Sequence, residues 1–307
     1  MQRIDVEFPS EGATIRAWLY LPDGPGPFPA VTLAGGWCYV REIVMPHYAR
    51  SFVDAGLAAL VFDYRNLGVS DGMPRQHLDP WGQIRDYRNA LTFLTRHPAI
   101  DSDRLGVWGI SYSGGHALIL GATDPRVRCL VSQIPVVDGS ENMRRVHGSV
   151  AYRELWQQIL EDRLTRYDRP EDRAYIPHAS ATPGEELSTW PFPETFHTFA
   201  ALKEVEAPLY QNSSTLESVD LLLEYDVMPF ARRIYDTPVL MIVAEGDDIT
   251  LWDLEIAAFN AVPSSNKRLV TLPHTTHMTL YSDRAKLKTA ADHATRWFEE
   301  HLEPKGS

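Results

Sequence analysis

Cysteine is nearly absent: Cys38 and Cys129 are the two in 307 residues. So few exclude a disulfide framework and suit a reducing compartment. Positive charge is also in short supply, with 29 Lys and Arg against 41 Asp and Glu and a net charge of −12. Nucleic-acid recognition needs clustered Lys and Arg against phosphate, so that class of partner is excluded. The acidity otherwise speaks only of solubility. No apolar run is long enough to span a membrane, and Met1 to Phe8 lacks the apolar stretch of a signal peptide. The expected setting is the cytoplasm, with no membrane partner. No internal repeat or low-complexity tract is present. A dinucleotide fingerprint is missing too, because Gly35-Gly36 follows a strand but lacks the further glycine and helix entry. No cofactor is implied, and the oligomeric state is left open.

What is present is an ordinary globular composition, 44% hydrophobic and 23% charged. The length exceeds that of a typical domain, but open-sheet α/β enzymes reach it with one core and an insertion. Alternation in Ile4 to Phe8 and Thr14 to Leu21 predicts an antiparallel pair. A turn-rich stretch, Pro22 to Pro29, follows. Short apolar strands are then expected at 30–34, 58–62, 105–110, 127–134, 239–244 and 267–272. Helices are expected between them at 44–55, 81–96, 115–122 and 251–262, with a last one at 285–302. Near-continuous apolar strands alternating with helices mean a mostly parallel sheet covered on both faces. Eight strands result. Residues 1–137 and 237–307 form this core. Residues 138–236 break the alternation, with helices expected at 151–164 and 218–234 around a Pro-rich middle containing Trp190, Phe192, Phe196 and Phe199. They read as a cap folded over the carboxyl ends of the strands. The helix from Ser218 fits either cap or core.

Chemistry concentrates at Leu105-Gly-Val-Trp-Gly-Ile-Ser-Tyr-Ser-Gly-Gly-His116, where an apolar strand gives way to a helix of small residues. Ser111 stands at the turn, with Gly109 two before and Ser113 two after, close to the G-x-S-x-G nucleophile elbow. Small neighbours are required there because strand and helix backbones cross tightly. A serine hydroxyl becomes a nucleophile only when a histidine takes its proton and a carboxylate orients that histidine. Both partners follow in the order Ser, Asp, His. The strand at 239–244 ends in Glu245-Gly-Asp-Asp248, and the last strand ends in Pro273-His-Thr-Thr-His277. Asp247, the first acid after Gly246, is favoured over Asp248 and Glu245. His277, at the approach to the last helix, is favoured over His274. A metal set of Asp247, His274 and His277 explains the pattern less well than this order does. The oxyanion hole needs two backbone N–H groups. Tyr112, after the nucleophile, supplies one, and Trp37, in the loop Gly35-Gly36-Trp37-Cys38, the other. Cys38 lacks an elbow and Ser113 would be poorly exposed, so neither displaces Ser111. His116 reads as a packing or surface histidine. Asp63 to Gly72 reads as a structural turn with Arg65 tying Asp63 or Asp71.

These residues resemble an α/β-hydrolase over nearly the whole chain. Gly36 to Glu42, Asp63 to Gly72 and Val107 to Gly114 resemble, more narrowly, the group of fungal polyketide transferases and related bacterial hydrolases. Dienelactone hydrolases and the cocaine esterase and X-prolyl peptidase group are more distantly similar. The resemblance implies Ser111 as nucleophile, Asp247 as acid, His277 as base, and Trp37 and Tyr112 as oxyanion donors. Two departures stand out: Ser113 replaces the elbow's second glycine, and Ala34-Gly35-Gly36 replaces the His-Gly common before the oxyanion loop. The expected activity is hydrolysis of a small-molecule carboxylic ester or thioester through an acyl-enzyme. Acyl transfer to an alcohol or amine is the alternative, and a peptidase or a non-catalytic binding protein is the remoter one.

Overall fold

The computed structural model describes residues 1–303 of the chain. Its elements, in chain order, are β1 (Gln2–Ser10), β2 (Ala13–Leu21), β3 (Phe28–Ala34), α1 (Met45–Asp54), β4 (Ala58–Phe62), α2 (Pro80–Arg96), β5 (Ile100–Ile110), α3 (Tyr112–Thr123) and β6 (Val127–Gln133). Then come α4 (Gly139–Asp168), β7 (Tyr175–Ile176), α5 (Pro193–Val205), β8 (Ser214–Thr215), α6 (Leu216–Leu223) and α7 (Met228–Ala231). The chain closes with β9 (Val239–Ala244), α8 (Trp252–Ala261), β10 (Lys267–Leu272), α9 (Thr279–Ser282) and α10 (Arg284–Leu302).

Among the described residues one sheet has eight strands, in the order β1-β2-β4-β3-β5-β6-β9-β10. The first two join it antiparallel and the other six run parallel. Every residue of β4 and β9 is buried, as expected of strands covered on both faces, whereas in the edge strand β10 Leu272 alone is fully buried. Helices α1 and α10 pack together on one face; α2, α3, α7 and α8 cover the other. Helix α2 shows why such segments become helical. Asp79 caps it by accepting a hydrogen bond from Trp81, Pro80 sits in its first turn, and Ile84, Tyr87, Leu91 and Leu94 form its buried stripe. Chain order places β4 on one side of β3 and β5 on the other. The sheet therefore has its switch point between β3 and β5, where open α/β sheets form a crevice at the strand ends.

The segment between β6 and β9 departs from expectation in three places. Helix α4 begins at once after Asp138, whose side chain caps it, and runs 30 residues with a kink at Gly148 (φ 62°, ψ 179°). Helix α5 was masked by Pro193 and its aromatics, yet proline is acceptable in a helix's first turn. The expected helix 218–234 is broken into α6 and α7, because Pro229 cannot continue a helix and Asp226 starts a new one by accepting from the Met228 N–H. The two pieces have different neighbours. Helix α6 packs on α4, and α7 packs on α3 and α8.

Arg65 ties neither Asp63 nor Asp71. Its guanidinium reaches Asp86 Oδ1 on α2 at 2.7 and 2.9 Å, and its N–H donates to Asp86 Oδ2 at 3.0 Å. Ser10 Oγ, at the end of β1, donates to the same carboxylate at 2.5 Å. Asp63 instead accepts the Arg41 and Val69 N–H groups, and Asp71 pairs with Arg16. Local spacing could not show Asp86, which comes from a different element. Arg65→Ala should therefore leave a buried, uncompensated carboxylate and cost about 3 kcal/mol. Urea denaturation followed by circular dichroism measures this, and the double variant with Asp86→Ala should recover part of the loss.

Candidate active site

Strand β5 ends at Ile110, α3 begins at Tyr112, and Ser111 makes the turn alone at φ 58° and ψ −121°. That conformation is strained for a residue with a Cβ, and it lifts the hydroxyl above the strand end. The crossing leaves no space beside it: a Cβ on Gly109 would lie 2.0 Å from the Ser113 carbonyl oxygen. Ser113, in the place of the elbow's second glycine, is wholly buried. Its Oγ accepts from the Ile110 N–H at 2.8 Å and donates to the Ala34 carbonyl at 2.7 Å. It thus ties the elbow to the end of β3 and is not available as a nucleophile.

The loop after β3 closes over the elbow from the other side of the switch point. A Cβ on Gly36 would lie 3.0 Å from the Ser111 Cβ, and one on Gly35 would strike the Tyr39 side chain at 2.5 Å. The two glycines let Tyr39 fold back and bring the Trp37 backbone to the serine. Neither Trp37 nor Tyr112 donates its backbone N–H to another described residue. Cys38 faces elsewhere, its Sγ on the Ser213 carbonyl at 3.3 Å, and burial pushes its thiol pKa up. His116 is a buried packing residue between Gln83 and Tyr225 and against the Tyr112 ring. Burial lowers its pKa to about 3.

After β9, Gly246 at φ 71° turns the chain so that Asp247 points inward. Asp247 is buried. Its Oδ1 accepts the Ile249 and Thr250 N–H groups at 2.9 and 3.0 Å, and its Oδ2 meets His277 Nδ1 at 2.8 Å. Burial alone would raise its pKa; the His277 ring and the two N–H donors outweigh burial and hold it below the usual range. Asp248 and Glu245 are exposed, and His274 stands outside with its N–H on Glu245. With Nδ1 bound to Asp247, His277 keeps Nε2 for the cavity it lines with Ser111. The Ser111 hydroxyl does not hydrogen-bond that ring here, a separation common before substrate tightens such a site. It lies instead near the Tyr39 phenol.

The cavity has room for about one water molecule. Trp37 and Tyr39 wall it from the loop after β3; His178, Trp190, Thr195 and Phe199 wall it from the stretch between β6 and β9. Phe192 and Phe196, noted with them in the sequence, lie outside that lining. His178 and Thr195 carried no sequence signal, since nothing local marks a residue that reaches the site through the tertiary fold; Tyr39 lies in the singled-out stretch Gly36 to Glu42 but had no role assigned.

Behind Asp247 lies a second acid that the sequence also hid. Thr250 Oγ1 donates to Glu255 Oε1 at 2.9 Å and lies 3.3 Å from His277 Nδ1. Glu255 is fully buried and its Oε2 has no partner. Burial, then the charge of Asp247, raises its pKa well above the ordinary value, so it is held protonated beside an ionised Asp247. The native state keeps a proton that the unfolded chain releases. This contribution is complete below the ordinary carboxylate pKa and is lost as pH rises toward the raised one, at about 1.4 kcal/mol per pH unit. Glu255→Gln should accordingly flatten the decline of stability with rising pH and match wild type in acid, as thermal melts from pH 4 to 9 will show.

The family model for X-Pro dipeptidyl-peptidase (S15 family) matches residues 11–279. A polyketide transferase of Aspergillus fumigatus is 30% identical over 281 residues, covering 91% of either chain. A thiohydrolase of Aspergillus aculeatus is 30% identical over 271 residues, covering 86% of this chain and 83% of its own. The α/β hydrolase GrgF from Penicillium superposes with a TM-score of 0.82 at 21% identity, over 98% of this chain and 99% of that one, a likeness of fold. With that fold, the serine turn and a match spanning most of its length, the chain belongs to the X-Pro dipeptidyl-peptidase (S15) family and is an enzyme of the α/β-hydrolase type.

Proposed function

We propose that this protein hydrolyses a small-molecule thioester or carboxylic ester through an acyl-enzyme on Ser111. One observation carries the reading: Ser111, on a strained turn, shares a water-sized cavity with His277, whose far nitrogen is bound to buried Asp247 at 2.8 Å. In the proposed mechanism His277 Nε2 takes the Ser111 proton as Oγ attacks the carbonyl carbon. Asp247 holds the tautomer that leaves Nε2 bare and stabilises the imidazolium. The Trp37 and Tyr112 N–H groups, unused within the protein, receive the developing oxyanion. His277 then protonates the leaving thiol or alcohol, and water releases the acyl group.

Residues 138–236 act in this reading as a cap. Trp190 contacts Trp37 edge-on at 6.4 Å and Phe199 lies 5.0 Å from Tyr39, so aromatic walls from both sides exclude water. The cavity is partly open to solvent, and an acyl chain extends from Ser111 through that opening. Acyl transfer to an alcohol or amine is the second reading, favoured by the similarity to a polyketide transferase. It shares every step up to the acyl-enzyme. Peptidase action draws less support, since none of the described residues lining the cavity is an acid that could capture an amino terminus.

Ser111→Ala should lower turnover of thioesters and p-nitrophenyl esters by about 10⁴-fold, because the proposed nucleophile, base and acid act as a unit. Steady-state assays across acyl chain lengths measure this. Near-normal turnover in that variant would remove Ser111 from the chemistry. Product analysis with added alcohols separates hydrolysis from transfer.

A further inference from the structure

A second histidine faces the same cavity, and its tautomer can be derived from the groups behind it. His178, on the inserted segment, is buried and lines the cavity with Ser111 and His277. The chain of hydrogen bonds behind it ends at Asn212. Asn212 Nδ2 donates to the Ala179 carbonyl at 2.9 Å, and its Oδ1 accepts the Ala179 N–H at 3.0 Å. A carbonyl can only accept and an N–H can only donate, so the amide has one orientation. The Tyr210 hydroxyl donates its single hydrogen to that Oδ1 at 3.1 Å. Its oxygen, 2.7 Å from His178 Nδ1, can then only accept. His178 therefore carries its proton on Nδ1 and presents a bare Nε2, which makes no hydrogen bond among the described residues. Phe199 and Tyr210 clamp the ring edge-on, with centroids 4.8 and 5.8 Å away. Burial, aided by nearby His277, lowers its pKa to about 3. So weak a base does not take protons; it accepts hydrogen bonds.

His277 presents a bare Nε2 by the same logic, its Nδ1 being bound to Asp247. Both histidines line one cavity with room for about one water. Water has two hydrogens to offer their free nitrogens, whereas an alcohol has one and would leave one acceptor unpaired. Building on the acyl-enzyme reading above, we propose that His178 is the fixed acceptor that positions the hydrolytic water and biases the enzyme toward water over alcohols. In this step the water oxygen bonds to the acyl carbon while one of its hydrogens passes to His277 Nε2. The other stays on that oxygen, hydrogen-bonded to His178, and leaves with the carboxylic acid. The bond from the acyl carbon to Ser111 Oγ breaks as Oγ takes the proton back from His277.

Stopped-flow turnover of a p-nitrophenyl ester, with and without methanol, tests this in His178→Phe, His178→Gln and Tyr210→Phe. In His178→Phe the acylation burst should persist, deacylation should slow about tenfold, and the ratio of methyl ester to free acid should rise about tenfold. His178→Gln, which can still accept, should restore most of the wild-type ratio. Tyr210→Phe, which leaves the cavity wall in place but frees the tautomer, should shift the ratio the same way by less. Labelling of Ser111 by a fluorophosphonate at the wild-type rate checks that each variant is folded. Unchanged partition in both Phe variants, with labelling and burst intact, would overturn the proposal. So would a loss confined to acylation by hydroxyl-bearing acyl esters, which would make an acyl hydroxyl the partner of His178. A burst that survives Ser111→Ala would instead overturn the acyl-enzyme reading on which the proposal rests.

Discussion

The arrangement depends on one crossing, where β5 passes into α3 through a single residue at φ 58°. A serine held there is strained, and it persists because the surroundings permit little else. Gly109 has no room for a Cβ, Ser113 is bonded to both the elbow and β3, and Gly36 brings the next loop against the serine itself. Strand β3 lies beside β5 because the chain reverses its direction of winding there, and that reversal opens the crevice at the strand ends. The site is thus a consequence of topology before it is a set of side chains.

Electrostatics then divides labour among groups of the same kind. Asp247 and Glu255 are both buried carboxyls near His277, yet their environments push them in opposite directions. Two backbone N–H groups and the imidazole keep Asp247 ionised; Glu255 has one hydroxyl and an unpartnered oxygen and stays protonated. Two carboxylates so close could not both ionise cheaply, and the fold resolves this by supplying backbone donors and an imidazole to only one. The histidines divide likewise. His277 is paired with an anion, while His178 is paired with a phenol and remains neutral.

Much of this was legible in the sequence wherever the signal was local. The pattern of apolar residues located all eight strands of the main sheet and, apart from α7, the helices of both layers. The order of serine, acid and histidine at strand ends pointed to Ser111, Asp247 and His277, which the fold gathers at one end of the sheet. Local reading failed where partners come from distant elements. Arg65 sits among Asp63 and Asp71 in sequence, but its carboxylate is Asp86 on α2. Helix α5 was hidden by the proline that starts it, and the expected helix from Ser218 was split by Pro229. His178 lies in an irregular stretch with no periodicity, and its role depends on Tyr210 and Asn212 more than thirty residues later. No spacing rule could reach such a chain of hydrogen bonds.

The central claim is that acyl chemistry passes through Ser111, and trapping the intermediate tests it most directly. The measurement is rapid quenching during turnover of a thioester, followed by intact-protein and peptide mass spectrometry. The expected result is a mass increase equal to the acyl group, located on the peptide that carries Ser111 and missing in Ser111→Ala. An acyl group found on another residue, or full turnover by the Ser111→Ala variant, would contradict the claim.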